Sequence, residues 1–502
     1  MSIQAWQRFE HTAQRCGSSP AIVAGRCSIH FERLYQAATG WAAKLDLTTG
    51  DRVVVSAANG PEMAAAVAGI WAKGAIPVLV NAEAPLKHID HAISLTGANA
   101  LIVDRDRPRI EIDMPVFELG LLPAPAPLPP LVQQPANLPA SIIFTSGSTG
   151  LPKGVTQSAA TLIDGAARIG AMLGYKSGER ILCPVPFSFD YGWGQLLSTL
   201  FEGHCLVLPD PPNSFGLCAA IAKHRPTVLA GVPAVFSDLF AGLAPIENTD
   251  RSSIRLITNT GSSIPAPIWK RLCDLFPNSD VALCYGLTET YRSSCLPVAE
   301  ARDHPMSIGY GVPGASLSVI DELGRECAPE EEGEVIHRGA GVFMGYWGDP
   351  EKTAQTLRPD PLWLHNKKLQ APLVVYTGDL GRKDANGRLY VHGRRDRQIK
   401  SMGVRVSPSE IEALLLECPD VTQAAIVTRP HDALGHMIVA VVVLTGEKKT
   451  ALKALKRHAR SSMSRYMQPR DWIVLEALPR NANGKIDYPA LRQRAGGGSS
   501  NP

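Results

Sequence analysis

Phe144-Thr-Ser-Gly-Ser-Thr-Gly-Leu-Pro-Lys-Gly-Val155 is the stretch from which the rest of this chain is read. The apolar run Ala140-Ser-Ile-Ile-Phe144 that feeds it has the composition of a buried strand. At Thr145 the character changes. Gly147 and Gly150 let the main chain approach an anion closely, the hydroxyls of Thr145, Ser146, Ser148 and Thr149 add donors, and Lys153 supplies a compact positive charge. A loop of this chemistry leaving a strand is suited to phosphate. Its spacing is not GxxxxGK[ST], because Pro152 precedes Lys153 and Gly154 follows it.

On the N-terminal side, residues 1–120 alternate helical and extended patterns. The periodicity predicts a helix over 31–45, a strand over 52–56, a helix over 62–72 and a strand over 76–80, which is α/β layering. Residues 121–139, LLPAPAPLPPLVQQPANLP, hold too much proline for a helix or a central strand and read as an extended surface connector. On the C-terminal side a helix over 159–173 is followed by strands over 180–184, 205–208, 227–231 and 254–258. Strand patterns then dominate, in SLSVIDELG at 316–324 and GEVIHRG at 333–339, and Asn386-Gly387 predicts a two-residue hairpin turn. A new unit begins at about 394. Ser407-Pro408-Ser409-Glu410 has the pattern of a capping box with Pro in the first turn. Strands over 423–428 and 438–444 and a basic helix over 450–466 complete a small α+β domain.

The 502 residues, 45% hydrophobic and 19% charged, can fill two or more packed domains. A net charge of +3 with dispersed basic residues argues for no nucleic-acid and no membrane partner. Ten cysteines without a CxxC pair, and without clustered histidines, indicate neither a zinc site nor a disulfide framework. The N-terminus lacks the basic-then-apolar pattern of a signal peptide, and the apolar stretch 63–80 is broken by Lys73, Gly74 and Pro77, so a cytoplasmic location is expected.

Five further segments fall in order along the chain: Tyr285-Gly-Leu-Thr-Glu-Thr290, Gly333-Glu-Val-Ile-His-Arg-Gly339 through Gly345-Tyr-Trp347, Tyr376-Thr-Gly-Asp379, Gly393-Arg-Arg-Asp-Arg-Gln-Ile-Lys-Ser-Met-Gly403, and Asn481-Ala-Asn-Gly-Lys485. With the loop at 144–155 they resemble the adenylate-forming superfamily of acyl-CoA synthetases, peptide-synthetase adenylation domains and luciferases. The resemblance implies an α/β fold with a large N-terminal domain (1–393) of layered α/β subdomains plus a β-rich subdomain, a small mobile α+β C-terminal domain (394–492), and a flexible tail (493–502). It also implies ATP and Mg²⁺ as cofactors. Thr145, Ser146, Gly147, Ser148, Thr149, Gly150 and Lys153 would hold phosphates, Tyr285 and Gly286 the adenine, Thr288 a phosphate oxygen and Glu289 the metal. Asp379 would accept from the ribose hydroxyls, and Arg394 would touch the nucleotide. Asp396 falls on the hinge position, Gly403 beside the channel for the incoming thiol, and Lys485 on the lysine that bridges substrate carboxylate and α-phosphate. The segment 333–347 matches as a family signature with a mainly structural reading.

The acid is read from Pro186-Phe-Ser-Phe-Asp-Tyr-Gly-Trp-Gly-Gln195, which resembles the pocket helix of peptide-synthetase adenylation domains. There an aspartate at the place of Asp190 pairs with a substrate ammonium group. Asp190 is equally well placed to cap a helix beginning at Tyr191, or to pair with Arg292, which would otherwise meet a second carboxylate. Gly192 and Gly194 leave room at the helix start, and Tyr191, Trp193 and Cys284 supply apolar wall for a small or medium pocket.

The implied function is an AMP-forming ligase that activates a small carboxylic acid, with an amino acid among the options, and passes it to the pantetheine thiol of a carrier protein. The chain ends in AGGGSSNP, so the carrier is expected to act in trans. The alternatives are a ligase making the CoA thioester of an aryl or short acyl acid and, more remotely, a binding protein for an adenylate.

Overall fold

A computed structural model describes residues 4–107, 112–128, 138–145, 152–240, 242–363, 370–397, 399–401, 404–431, 435–481 and 485–496. The chain divides into two compact units. The first comprises Met1–Ser263, Leu275–Leu317 and Ile336–Tyr376, and the second Ile264–Asp274, Ser318–Val335 and Thr377–Pro502.

Two sheets organise the first unit. In one, seven described strands run in the order Gly345–Tyr346, Lys153–Ser158, Pro139–Thr145, Ile76–Leu79, Arg52–Ser56, Ala100–Asp104, Val116–Leu119. The last five are mutually parallel, and Lys153–Ser158 turns antiparallel against Pro139–Thr145. Strands buried on both faces read as unbroken apolar runs, and Val53, Val54 and Val55 are fully enclosed. The other sheet has nine described strands with a parallel centre that includes Arg180–Leu182, Cys205–Leu208, Val228–Gly231, Leu256–Asn259 and Asp280–Tyr285. Ser294–Leu296 returns antiparallel along Asp280–Tyr285, and Tyr310–Gly311 forms the edge beyond it.

The helix Pro61–Ala72, PEMAAAVAGIWA, is apolar almost all round and is buried accordingly. It lies so close to the helix Phe31–Lys44 that a Cβ on Gly69 would come within 2.6 Å of the Trp41 Cβ. The described part of the proline-rich segment, residues 121–128, follows the helix Phe31–Lys44. The Arg33 guanidinium donates to the carbonyls of Leu122 (2.8 Å) and Pro123 (2.9 Å). Residues 129–137 lie outside the described residues.

In the second unit, the strands Val421–His431 and Gly435–Leu444 pair antiparallel, and Asp471–Leu475 adds parallel to the latter. The helices Pro408–Leu416 and Lys448–Ser462 cover one face, with Ile411, Leu415, Leu455 and Ala459 in the core they share with the sheet. Arg397 stacks on the Tyr488 ring at 3.8 Å and binds Glu412 Oε1 at 3.0 Å. Glu412 Oε1 also accepts from the Tyr488 hydroxyl and the Ile426 N–H. Burial pushes the Glu412 carboxyl up, against the pull of Arg397.

Two local expectations are corrected. Asn386-Gly387 does not form a two-residue turn. Lys383 faces Leu389, and Asp384 closes the wider loop by accepting from the N–H groups of Asn386 and Arg388, both at 2.9 Å. Ser407 is the N-cap of Pro408–Leu416 but makes no capping hydrogen bond, because its hydroxyl donates instead to the His392 carbonyl at 2.8 Å. Among the described residues no helix is long and apolar enough to cross a membrane.

Candidate active site

Lys153 and Thr145 face each other across the antiparallel pair that flanks the glycine-rich loop, so the hairpin holds the two ends of that loop side by side. Ser146, Gly147, Ser148, Thr149 and Gly150 lie outside the described residues. On the outer side of Lys153–Ser158 runs the short strand Gly345–Tyr346, with Tyr346 opposite Val155, and the Trp347 N–H donates to the Gly154 carbonyl at 2.8 Å. This register brings the Tyr346 ring to 5.3 Å from Lys153 Nζ. The Tyr346 hydroxyl donates to Glu289 Oε1 at 2.6 Å, and the Phe343 N–H donates to the Glu289 carbonyl at 3.0 Å.

Glu289 sits in the single turn Thr288–Thr290, which follows the strand Asp280–Tyr285. The turn is fixed by its neighbours: Gln157 donates to the Thr288 carbonyl at 2.9 Å, and Thr290 Oγ1 accepts from the Leu287 N–H at 3.0 Å. Tyr285 ends the strand, its carbonyl accepting from the Ser293 N–H at 2.9 Å, and a Cβ on Gly286 would come within 3.0 Å of the Arg292 Cα. A hard carboxylate oxygen beside a lysine suits a magnesium-bound triphosphate. Tyr346 and Gln157, which hold these groups, were missed in the sequence. The signal for Tyr346 lay in Gly345-Tyr-Trp347, read there as structural.

The residues expected to line an acid pocket all lie in the first unit. The helix Asp190–Leu197 begins at Asp190 with Phe189 as its N-cap and no side-chain cap, which corrects the reading of Asp190 as a cap for a helix starting at Tyr191. A carboxylate in the first turn faces the positive end of the helix dipole. The room left by Gly192 is taken by this chain's own backbone, since a Cβ there would meet the Pro186 carbonyl at 2.2 Å. Gly194 faces the Tyr291 hydroxyl, 3.5 Å from where its Cβ would be. Trp193 is corrected from pocket wall to core: it is fully buried against Trp71, ring centroids 5.7 Å apart.

Tyr191 is buried in the same core as Trp193. Its hydroxyl donates to the Thr258 carbonyl at 3.0 Å, and the Arg292 guanidinium lies 5.0 Å over its ring. Cys284 pairs across the strands with Cys295, Sγ to Sγ 3.5 Å. That contact lowers the Cys284 thiol and raises that of Cys295. Arg292 is only 5% exposed. Burial works against its charge, but Cys284, Tyr191 and Asp190 together raise its pKa.

The remaining candidates belong to the second unit. Asp379, 5% exposed, lies opposite Arg394 on the paired strands, Oδ1 to Nη1 3.5 Å, and Arg394 also donates to the Thr377 carbonyl at 2.8 Å. Gly378, with φ of 71°, turns the chain between them. Lys485 is exposed on a turn in which its N–H donates to Asn481 Oδ1 at 3.1 Å and its carbonyl accepts from the Asn481 N–H at 2.8 Å. Asp396 falls in the short turn Arg395–Arg397, and Gly403 lies outside the described residues.

The two sheets of the first unit and the small α+β unit are the layout of adenylate-forming enzymes. The o-succinylbenzoate CoA synthetase (MenE) of Bacillus subtilis, solved with its acyl-adenylate intermediate, has the same fold at a TM-score of 0.85 and 24% identity, covering 98% of each chain. Residues 9–347 match the AMP-binding enzyme family and residues 410–485 its C-terminal domain, so the chain belongs to the AMP-binding enzymes. A probable nonribosomal peptide synthetase, CymA, of Salinispora arenicola is 31% identical over 96% of this chain and 6% of its own length. An indoleacetate–CoA ligase of Aromatoleum aromaticum is 32% identical over 71% of this chain and 67% of its own. The ligase apart, the chain spans between 6% and 47% of the length of curated relatives it matches.

Proposed function

We propose that this chain is an ATP-dependent, AMP-forming ligase that activates a small carboxylic acid as its acyl-adenylate and passes the acyl group to the pantetheine thiol of a carrier protein. Coenzyme A presents the same thiol arm and is the alternative acceptor, favoured by the likeness to an indoleacetate–CoA ligase. The observation that carries the reading is the link from Lys153 through Tyr346 to Glu289, within a chain that belongs to the AMP-binding enzymes.

A carboxylate that attacks the α-phosphorus of ATP approaches a polyanion, so catalysis consists of neutralising charge and aligning the reactants. Lys153 supplies a positive charge next to the phosphate loop. Mg²⁺, held by Glu289 when bound, offsets the triphosphate charge. Thr288 offers its hydroxyl to a phosphate oxygen, Tyr285 a flat ring to adenine, and Asp379 two carboxylate oxygens to the ribose. Lys485, on the C-terminal domain, stabilises the oxygens at the reacting centre. The domain then turns about Asp396, withdrawing Lys485 and bringing in the region of Gly403 for thioester formation. No side chain of the enzyme acts as nucleophile. In this scheme residues 1–393 form the adenylation domain and 394–492 the moving one, in a cytoplasmic protein.

The test is ATP–pyrophosphate exchange with a panel of amino, aryl and short acyl acids. Exchange driven by at least one acid supports the reading, and silence across the panel ends it.

A further inference from the structure

We infer that Arg292 recognises a second carboxylate on the acid, so that the substrate class is a small dicarboxylic acid; the inference rests on the adenylation reading above. The backbone first aims the residue. Tyr291 has φ 55° and ψ −63°, and the Arg292 N–H donates back to the Thr290 carbonyl at 2.6 Å. This is a γ-turn with positive central φ, a rare and strained conformation for a residue that is not glycine. The strain is retained in a segment that packs tightly, since the Tyr291 ring fills the space beside Gly165, where a Cβ would come within 2.6 Å of it. Arg292, which follows this turn, is 5% exposed.

Inside, the guanidinium carbon lies 5.0 Å over the Tyr191 ring, whose hydroxyl is committed to Thr258, so the ring serves as a fixed platform. Among the described residues, Arg292 Nε is buried without a hydrogen-bond partner. Buried donors are ordinarily satisfied, and an arginine side edge is shaped for two parallel bonds to a carboxylate. Among the described residues, Cys284, Tyr191, Asp190 and Tyr291 act on its charge, and Tyr175 and Cys295 also feel it. Asp190, in the first turn of its helix, favours the charged guanidinium. A second carboxylate entering with the acid would satisfy Nε while its first carboxylate remains for the α-phosphate.

The experiment compares matched acids in ATP–pyrophosphate exchange on the wild-type chain: succinate with succinamate, glutarate with glutaramate, and L-glutamate with L-glutamine. At least one diacid is expected to exceed its half-amide by about 100-fold or more in kcat/KM, as expected where a site is built to hydrogen-bond a group that the analogue lacks. Arg292→Met is expected to bring that ratio close to one while leaving residual exchange with the half-amide. Arg292→Lys is expected to fall between, because a point charge cannot make both bonds. Exchange that ignores the second carboxylate, in the wild type or equally in both variants, overturns the inference and leaves adenylation standing. Silence with every acid overturns both.

Discussion

The Tyr346 hydroxyl donates to Glu289 Oε1 at 2.6 Å while the same ring stands 5.3 Å from the Lys153 ammonium. One side chain therefore sets the separation between a carboxylate and a lysine that lie far apart in sequence. Tyr346→Phe keeps the ring beside Lys153 and removes only the bond to Glu289. A hydrogen bond to a charged group contributes about 1.5–3 kcal/mol, so exchange is expected to slow by roughly 10–100-fold. The Mg²⁺ concentration for half-maximal exchange is expected to rise. An unchanged Mg²⁺ dependence would reduce Tyr346 to packing.

Lys485→Ala tests the division of labour between the two half-reactions. Adenylation is expected to be nearly abolished, and thioester formation from a supplied acyl-adenylate largely retained. Single-turnover assays of each step decide this, and equal loss in both contradicts the moving-domain scheme.

Asp190 opens its helix without capping it, so Asp190→Ala removes no cap hydrogen bond. Selectivity is expected to change, with amino acids losing more kcat/KM than the matched deaminated acids. Equal loss for both series would leave Asp190 without a part in reading an ammonium group.

Cys284 and Cys295 face each other on antiparallel strands, Sγ to Sγ 3.5 Å. Directly opposed residues in such a pair have Cα atoms about 4.5–5.5 Å apart, within the span of a disulfide. Hydrogen peroxide is expected to join them: two thiols lose two protons and two electrons, and the peroxide becomes two waters. Peptide mapping should recover a 284–295 cross-link that dithiothreitol removes, whereas two free thiols after oxidation would contradict the geometry.

His337 is fully buried, with Nε2 donating to the Ala340 carbonyl at 2.9 Å, and burial lowers its pKa from 6.5 to about 4. The unfolded chain thus takes up this proton first as pH falls. The stability involved is complete above about pH 6.5 and declines by about 1.4 kcal/mol per pH unit toward pH 4. Urea unfolding at pH 7.5 and 5.0 should show the loss, and His337→Gln should flatten it. An equal slope in the variant would assign the pH dependence elsewhere.

Much of this was legible before any coordinate. Strands such as Arg52–Ser56 and Cys205–Leu208 fall where the apolar runs predicted them, because a strand covered on both faces has to be continuously apolar. The turn at Asp384–Arg388 and the loss of the Ser407 cap were not legible. In both, a side chain was diverted to a partner that sequence spacing does not reveal, the N–H groups around Asp384 in one and the His392 carbonyl in the other. Trp193 misled for a related reason: an aromatic two positions from Tyr191 turns to the opposite side of the helix and meets Trp71.

By itself, the sequence determined the family and the α/β fold class and nominated Lys153, Glu289, Asp379 and Lys485, since these depend on local composition and on motifs that each carry their own chemistry. Only the tertiary structure decided that Tyr346 reaches Glu289 and that Arg292 is buried over Tyr191 with Nε unmatched. Those relations come from strand register and from one strained turn at Tyr291, and both arise when distant segments pack, which no window of neighbouring residues records.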